Sequence, residues 1–128
     1  MDDRLLLDTD VLIDYLRNRP EAVKYLESQT GALLVSVGTV AELYSGVREG
    51  QERSRLDEFL QGLEVAPIDL PIAVRGGLYH RDYGKSHGTG FVDALIAATA
   101  ERQQATLVTL NRKHYPMVAD LLVPYRKG

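Results

Sequence analysis

Three carboxylates stand where an alternating strand and helix chain tends to place reactive groups. Asp8 closes the apolar run Arg4 to Leu7, Glu42 follows the second apolar run Ala32 to Val37, and Asp93 opens the alanine-rich stretch Phe91 to Gln104. A fourth polar residue, Asn111, comes directly after the run Ala105 to Leu110. Each has a structural explanation of its own. Asp8 suits the N-cap of a following helix, Glu42 completes a capping box with Thr39, Asp93 complements a helix dipole, and Asn111 suits a turn. Gathered in one place they describe different chemistry. Clustered carboxylates repel unless a cation or proton neutralises them, and hard oxygen donors select Mg²⁺ or Mn²⁺, which also bind phosphate oxygens. Such ions activate water and stabilise the leaving oxygen in phosphodiester cleavage without a nucleophilic side chain.

Strand and helix segments alternate around these residues. The spacing predicts a strand over 4–7, helices from Thr9 to Arg17 and from Pro20 to Ser28, and a strand over 32–37. A helix opened by Thr39-Val-Ala-Glu42 and running to Arg48 comes next, followed by an amphipathic helix over 51–63 carrying Leu56, Phe59, Leu60 and Leu63. A strand over 64–68 precedes a helix starting at Asp69 to Pro71 and a loop over 86–90. Helix 91–104, strand 105–110 and a fifth strand over 121–125 complete the reading. This alternation implies a three-layer α/β/α fold with a central, mostly parallel sheet of four to five strands, because parallel neighbours need a crossover that lays helices on the sheet. Ligands of such sheets bind beyond the carboxyl ends of the strands, where the chain order reverses. Asp8, Glu42, Asp93 and Asn111 are all expected at that edge.

No repeat or linker divides the 128 residues, so a single domain over 1–128 is expected. The composition, 45% hydrophobic and 26% charged, is that of an ordinary globular protein. Cysteine is absent, which rules out disulfides and thiolate metal sites and fits a cytoplasmic location. The opening MDDRLLLDTD, with two early acids and a short apolar run, reads as neither signal peptide nor membrane span. A net charge of −3 argues against bulk electrostatic coating of nucleic acid and requires any phosphate-binding surface to be local.

The segments LLLDTDVLIDYL, SVGTVAELYSGV, GFVDALIAATA and ATLVTLNRKHYP, in this order and spacing, resemble the four motif blocks of PIN-domain VapC toxins, and Asp69-Leu-Pro-Ile-Ala between the second and third is also typical. The resemblance covers nearly the whole chain. It implies a Mg²⁺- or Mn²⁺-dependent endoribonuclease acting on tRNA or rRNA, with Asp8, Glu42 and Asp93 as metal ligands, a VapB-like antitoxin partner and a homodimer. The fourth position departs from the pattern. Asn111 stands where many relatives have Asp, and His114 where others place an acid, so three carboxylates holding one ion are expected, with Asn111 as a catalytic contributor. Thr109 then orients a water or the phosphate. Thr9 and Thr39 are candidate hydroxyls behind the ligands, and Asp10 a candidate reaching the site through a metal-bound water. Arg75, Arg81, Lys85, Arg112 and Lys113 are candidates for a rim facing RNA, although solvated helix faces read the same. His80, His87 and His114 have no ligand spacing and read as surface or core.

Three other functions compete. A haloacid-dehalogenase-type phosphatase also begins with an apolar strand and Asp-x-Asp, but Leu12 stands where it needs Thr or Val, and the late helix offers Asp93 alone. A response-regulator receiver can take Asp69 as its phosphoacceptor but lacks a suitable late Lys. A noncatalytic PIN-fold module binding RNA or a partner conflicts with three intact carboxylates. Within the PIN fold, an RNA-processing role outside a toxin pair is the remaining alternative.

Overall fold

The structure, a computed structural model, describes residues 4–126. Of the expected domain over 1–128, residues 1–3 and 127–128 fall outside the described residues. In chain order the elements are β1 (Leu5–Leu7), α1 (Thr9–Leu16), α2 (Pro20–Glu27), β2 (Leu33–Ser36), α3 (Val37–Ser45) and α4 (Gln51–Leu60). They continue with β3 (Glu64–Ala66), α5 (Leu70–His87), α6 (Phe91–Gln103), β4 (Thr106–Val108), a 3₁₀ turn at Arg112–His114 and β5 (Leu121–Leu122).

The strands form one sheet in the order β3-β2-β1-β4-β5, and every pairing is parallel. The expectation of a mostly parallel sheet is thus met without an antiparallel exception. From β1 the chain moves outward through β2 to β3, then returns to place β4 on the other side of β1. The order reverses between β1 and β4. At such a switch point the connections leave in opposite directions and open a crevice at the carboxyl edge.

Alternation along the short strands assigns the two faces. Leu5, Leu7, Val35 and Val108 pack with Val11 and Leu12 of α1, Leu26 of α2, Leu43 of α3 and Leu56 of α4. Leu6, Leu34 and Leu107 face the other way, onto Ile96, Ala97 and Ala100 of α6 and onto Tyr115. The six side chains Leu6, Leu7, Leu34, Val35, Leu107 and Val108 are all fully buried. Each such side chain contributes about 1.5–3 kcal/mol by leaving water, and a one-residue slip would exchange the faces, so register is firmly specified. Helix α5 packs outside α6. At Gly76 the two helices approach so closely that an added Cβ would lie 2.7 Å from Leu95 Cδ2 and 3.2 Å from Leu95 Cα.

Local chemistry moves several boundaries from their expected places. The Ser36 hydroxyl accepts from the Gly38 N–H at 3.0 Å and caps α3, so the helix starts at Val37. Thr39 is therefore not a cap but a fully buried residue inside the helix, and Glu42 sits on the second turn instead of the first. Strand β3 stops at Ala66 because Pro67 has no N–H to give the ladder. β5 stops at Leu122, short of Pro124, for a related reason. α5 absorbs the beginning of the expected loop and ends at Gly88, whose φ of 67° is the left-handed cap conformation that glycine adopts freely. Among the described residues, no helix is long and apolar enough to cross a membrane.

Candidate active site at the switch point

The first residue past β1 is the most confined acid of the site. The Asp8 N–H donates to the Val108 carbonyl at 2.9 Å, continuing the β1–β4 pairing, and its carboxylate caps α1 by accepting from the Thr9 N–H at 2.7 Å. The other oxygen, Oδ2, accepts from the Thr109 hydroxyl and the Tyr115 hydroxyl, each at 2.8 Å. Asp8 is only 5% exposed. Burial, and next the charge of Asp10, push its pKa from 3.8 up to about 7, against the pull of the hydrogen bonds from Thr109, Tyr115 and Thr9. Desolvation exceeds what three donors return. The capping role and a ligand role are compatible, since a carboxylate has more lone pairs than the cap uses.

Asp10 joins Asp8 through β4. Its Oδ2 accepts from the Leu110 N–H at 3.1 Å and lies 3.4 Å from the Thr109 hydroxyl, while its Oδ1 accepts from the Val11 N–H at 2.7 Å. Both acids of the Asp-Thr-Asp segment therefore address the end of β4, although one is the N-cap of α1 and the other its second residue.

Asp93 arrives from the opposite direction. Its Oδ2 reaches back to the Gly90 N–H at 2.9 Å, closing the N-terminus of α6, and its Oδ1 lies 3.1 Å from the Tyr115 hydroxyl. The N-cap of α1 and the first turn of α6 thus meet on one phenol, which places Asp8 Oδ2 and Asp93 Oδ1 within about 6 Å of one another, the most that two such contacts allow. The phenol carries one proton for two carboxylates. Burial, then the adjacent Asp8 and Asp93, push its own pKa far up, so it remains a donor.

Glu42 stands apart from this cluster. It is exposed, and its Oε1 lies 2.6 Å from the Thr9 hydroxyl, which in turn lies 3.0 Å from the Thr39 hydroxyl. Thr9 and Thr39 therefore stand behind Glu42, while the Thr9 backbone serves Asp8.

At the fourth position the two candidates have different partners. The Asn111 N–H donates to Thr109 Oγ1 at 3.1 Å, and its side-chain nitrogen lies 3.0 Å from His114 Nδ1. His114 Nδ1 itself lies 3.2 Å from Asp93 Oδ2. With its Nδ1–H donating to Asp93, the ring accepts from the Asn111 amide at Nε2, 3.3 Å away, so one imidazole tautomer serves both neighbours. Asn111 reaches the acids through His114, a residue whose sequence context reads as surface or core.

Tyr115 is the functional candidate that sequence reasoning missed. It is 2% exposed and packs among Leu6, Leu34 and Leu107. An aromatic residue after a basic turn carries no pattern that separates a core ring from a core ring with a working hydroxyl.

Among the described residues, no three His, Asp or Glu side chains stand close enough to enclose an ion as they are placed. The donors at hand are nonetheless hard oxygens, and the raised pKa of Asp8 marks a centre short of positive charge. The N-termini of α1 and α6 supply part of it.

The basic candidates divide. Arg112 and Lys113 are exposed on the turn that ends in His114, beside the acids, and Lys85 is exposed near the end of α5. Arg81 pairs with Asp82 at 2.8 Å. Arg75 pairs with Glu101 at 3.0 Å, eight residues beyond Asp93 on α6 and so about 12 Å along the helix from the site.

This arrangement can be compared with known proteins. The PIN domain family profile matches residues 5–119. Ribonuclease VapC10 of Mycobacterium tuberculosis is 41% identical over 124 residues, covering 94% of this chain and 92% of that protein. Ribonuclease VapC19 of the same organism is 39% identical over 94% of this chain and 98% of its own length. Among solved structures, a toxin-antitoxin complex from Klebsiella pneumoniae contains a chain that superposes with a TM-score of 0.83 at 27% identity, covering 96% of this chain and 99% of that one. With a family profile spanning β1 to the approach of β5, and relatives of this identity over almost their full length, the chain belongs to the PIN-domain family, among the VapC ribonucleases.

Proposed function

We propose that this protein is a Mg²⁺- or Mn²⁺-dependent endoribonuclease and the toxin of a toxin–antitoxin pair, cutting tRNA or rRNA with a metal-activated water. The observation that carries the reading is the meeting of Asp8, just past β1, and Asp93, at the start of α6, on one buried hydroxyl at the switch point, with Asp10 beside them. Asp8 and Asp93 would hold the ion, and Glu42, its Oε1 held by the Thr9 hydroxyl, would complete the set with its second carboxylate oxygen. A bound ion supplies water activation and neutralisation of the phosphodiester's developing charge. Thr109 orients Asp8, Asn111 orients His114, and the exposed Arg112 and Lys113 draw the RNA backbone to the acidic edge. With three carboxylates and a neutral Asn111, one firmly held ion is the expected stoichiometry.

The partner reading rests on likeness and on surface. A groove of about 530 Å³ between α1, α3 and α4 has Glu42 in its wall; Ile13, Leu16 and Leu43 give it an apolar lining, and Arg17, Arg48 and Arg55, beside Glu52, a mainly basic one. That suits an amphipathic, acidic antitoxin segment lying against the site. Leu70, Val74 and Leu78, exposed at four-residue spacing along α5, suit a second copy of the chain in a homodimer. The absence of cysteine agrees with the cytoplasm, where such a pair acts.

The test is cleavage of single-stranded RNA by purified protein with Mg²⁺ or Mn²⁺, with excess chelator, and with Asp93→Asn. Cleavage is expected only in the first condition. Robust cleavage in chelator or by Asp93→Asn would overturn the reading. Growth arrest on expression, with sequencing of the cut RNA ends, identifies the substrate, and rescue by an adjacent small reading frame identifies the antitoxin.

A further inference from the structure

Tyr115 is the largest fully buried side chain, and burial of its ring needs no hydroxyl. Leu6, Leu34, Ile96 and Leu107 around it are all apolar. Phenylalanine would fill the same space, and a buried hydroxyl without partners costs free energy. The hydroxyl is directed instead between two acids that no backbone pairing holds together: Asp8, fixed to β4 through its N–H, and Asp93, fixed to Gly90 on α6. Thr109 also donates to Asp8 Oδ2 but has no contact with Asp93, so among the described residues the phenol is the direct link between the two carboxylates. The link spans the β1–β4 pair and the helix that packs across it, whose facing core side chains are apolar.

We propose that Tyr115 is a positioning residue whose hydroxyl holds Asp8 and Asp93 in a shared orientation and thereby sets the protein's affinity for its divalent cation. This rests on the reading of those acids as ligands. The one phenolic proton serves one carboxylate at a time, and two anions in a partly dry crevice turn away from one another unless such a donor lies between them. A hydrogen-bonded partner behind ligating carboxylates fixes their direction, and its loss costs typically about 10–100-fold in metal affinity or activity. The ring belongs to the core and the oxygen to the site. Because the phenol's ring is anchored by packing, its oxygen cannot follow one acid without leaving the other.

The test uses the full chain and Mn²⁺ itself. Mn²⁺ binding is followed by calorimetry and by the spin resonance of the free ion, for the unsubstituted protein, Tyr115→Phe and Thr109→Val. Tyr115→Phe is expected to keep the circular dichroism of the parent and to weaken Mn²⁺ binding by about tenfold. The Mg²⁺ concentration giving half-maximal RNA cleavage should rise by the same factor, while the rate at saturating Mg²⁺ falls far less. Thr109→Val, which removes a donor to the same oxygen without breaking the link to Asp93, should change affinity less. Unchanged Mn²⁺ affinity in a folded Tyr115→Phe would overturn the positioning role and leave the nuclease reading standing. Failure of the unsubstituted protein to bind Mn²⁺ would overturn both. Should Tyr115→Phe not fold, Mg²⁺ titration of the unsubstituted protein carrying Cζ-labelled tyrosine decides the matter. The buried Tyr115 signal must shift with the binding isotherm, and a signal indifferent to bound Mg²⁺ rejects the proposal.

Discussion

The Thr9 hydroxyl lies 2.6 Å from Glu42 Oε1, so the first residue of α1 restrains an acid on the second turn of α3. The contact joins two helices on the same face of the sheet, and it holds Glu42 beside the site while leaving it exposed. Thr9→Val keeps the shape of the side chain and removes the restraint. Metal-dependent RNA cleavage is expected to fall about tenfold, with the melting temperature moved by no more than about 4 °C. An unchanged cleavage rate would show that Glu42 works without this partner.

Asp8 makes ion-free stability pH-dependent. Its folded pKa of about 7 lies above the unfolded value near 3.8, so between those limits the folded protein keeps a proton that the unfolded chain has lost. The stabilisation is complete below about pH 3.8 and is lost as pH rises through about 7. Over this window the loss is on the order of 4 kcal/mol at most. In chelator, the melting temperature should therefore decline between pH 5 and about pH 7.5 by more than it does in Asp8→Asn. That variant should also melt higher than its parent at neutral pH while cutting no RNA. Parallel melting curves for the two proteins across this range would refute the assignment of the charge burden to Asp8.

Gly76 and Gly77 are neighbours in α5 with opposite tolerances. A Cβ on Gly76 would meet Leu95 Cα at 3.2 Å and the Ala94 carbonyl oxygen at 3.3 Å, backbone atoms that cannot rotate aside, whereas one on Gly77 would meet nothing within 4 Å. Gly76→Ala should destabilise by about 1–3 kcal/mol as α5 is forced off α6. Gly77→Ala should stabilise by about 0.5–1 kcal/mol through helix propensity alone. Urea unfolding of the two variants measures both, and equal effects would mean that the helices are less closely packed than the distances require.

Position separates the basic residues by function. Arg112 and Lys113 are exposed beside His114, whereas Arg75 is engaged by Glu101 and Tyr79 away from the acids. Replacing Arg112 or Lys113 with alanine should weaken RNA binding and lower the slope of log affinity against log salt by about 1 per residue. Arg75→Ala should leave that slope unaltered. Filter binding of a single-stranded RNA by Asp93→Asn, across a range of salt, distinguishes the cases. A larger effect from Arg75 would move the RNA path onto α5.

The layered α/β fold, and the sheet edge at which Asp8 and Asp93 stand, were legible in the chain because they follow from local pattern. Leu5 to Leu7 and Thr106 to Val108 are apolar without interruption, as strands covered on both faces are, and the helices between them require parallel pairing. The cap of α3 was not legible. Ser36 and Thr39 both suit an N-cap, and the choice fell to Ser36 because β2 ends there and its hydroxyl reaches the Gly38 N–H. What only the tertiary structure decided is which polar atoms share a partner. Asp10 turns towards Thr109, His114 rather than Asn111 meets Asp93, and the Tyr115 hydroxyl lies between Asp8 and Asp93. Residue type and spacing report period and burial, which are one-dimensional. The direction of one buried hydroxyl depends on how β1, β4 and α6 pack around its ring, and that is settled only when all three are in place.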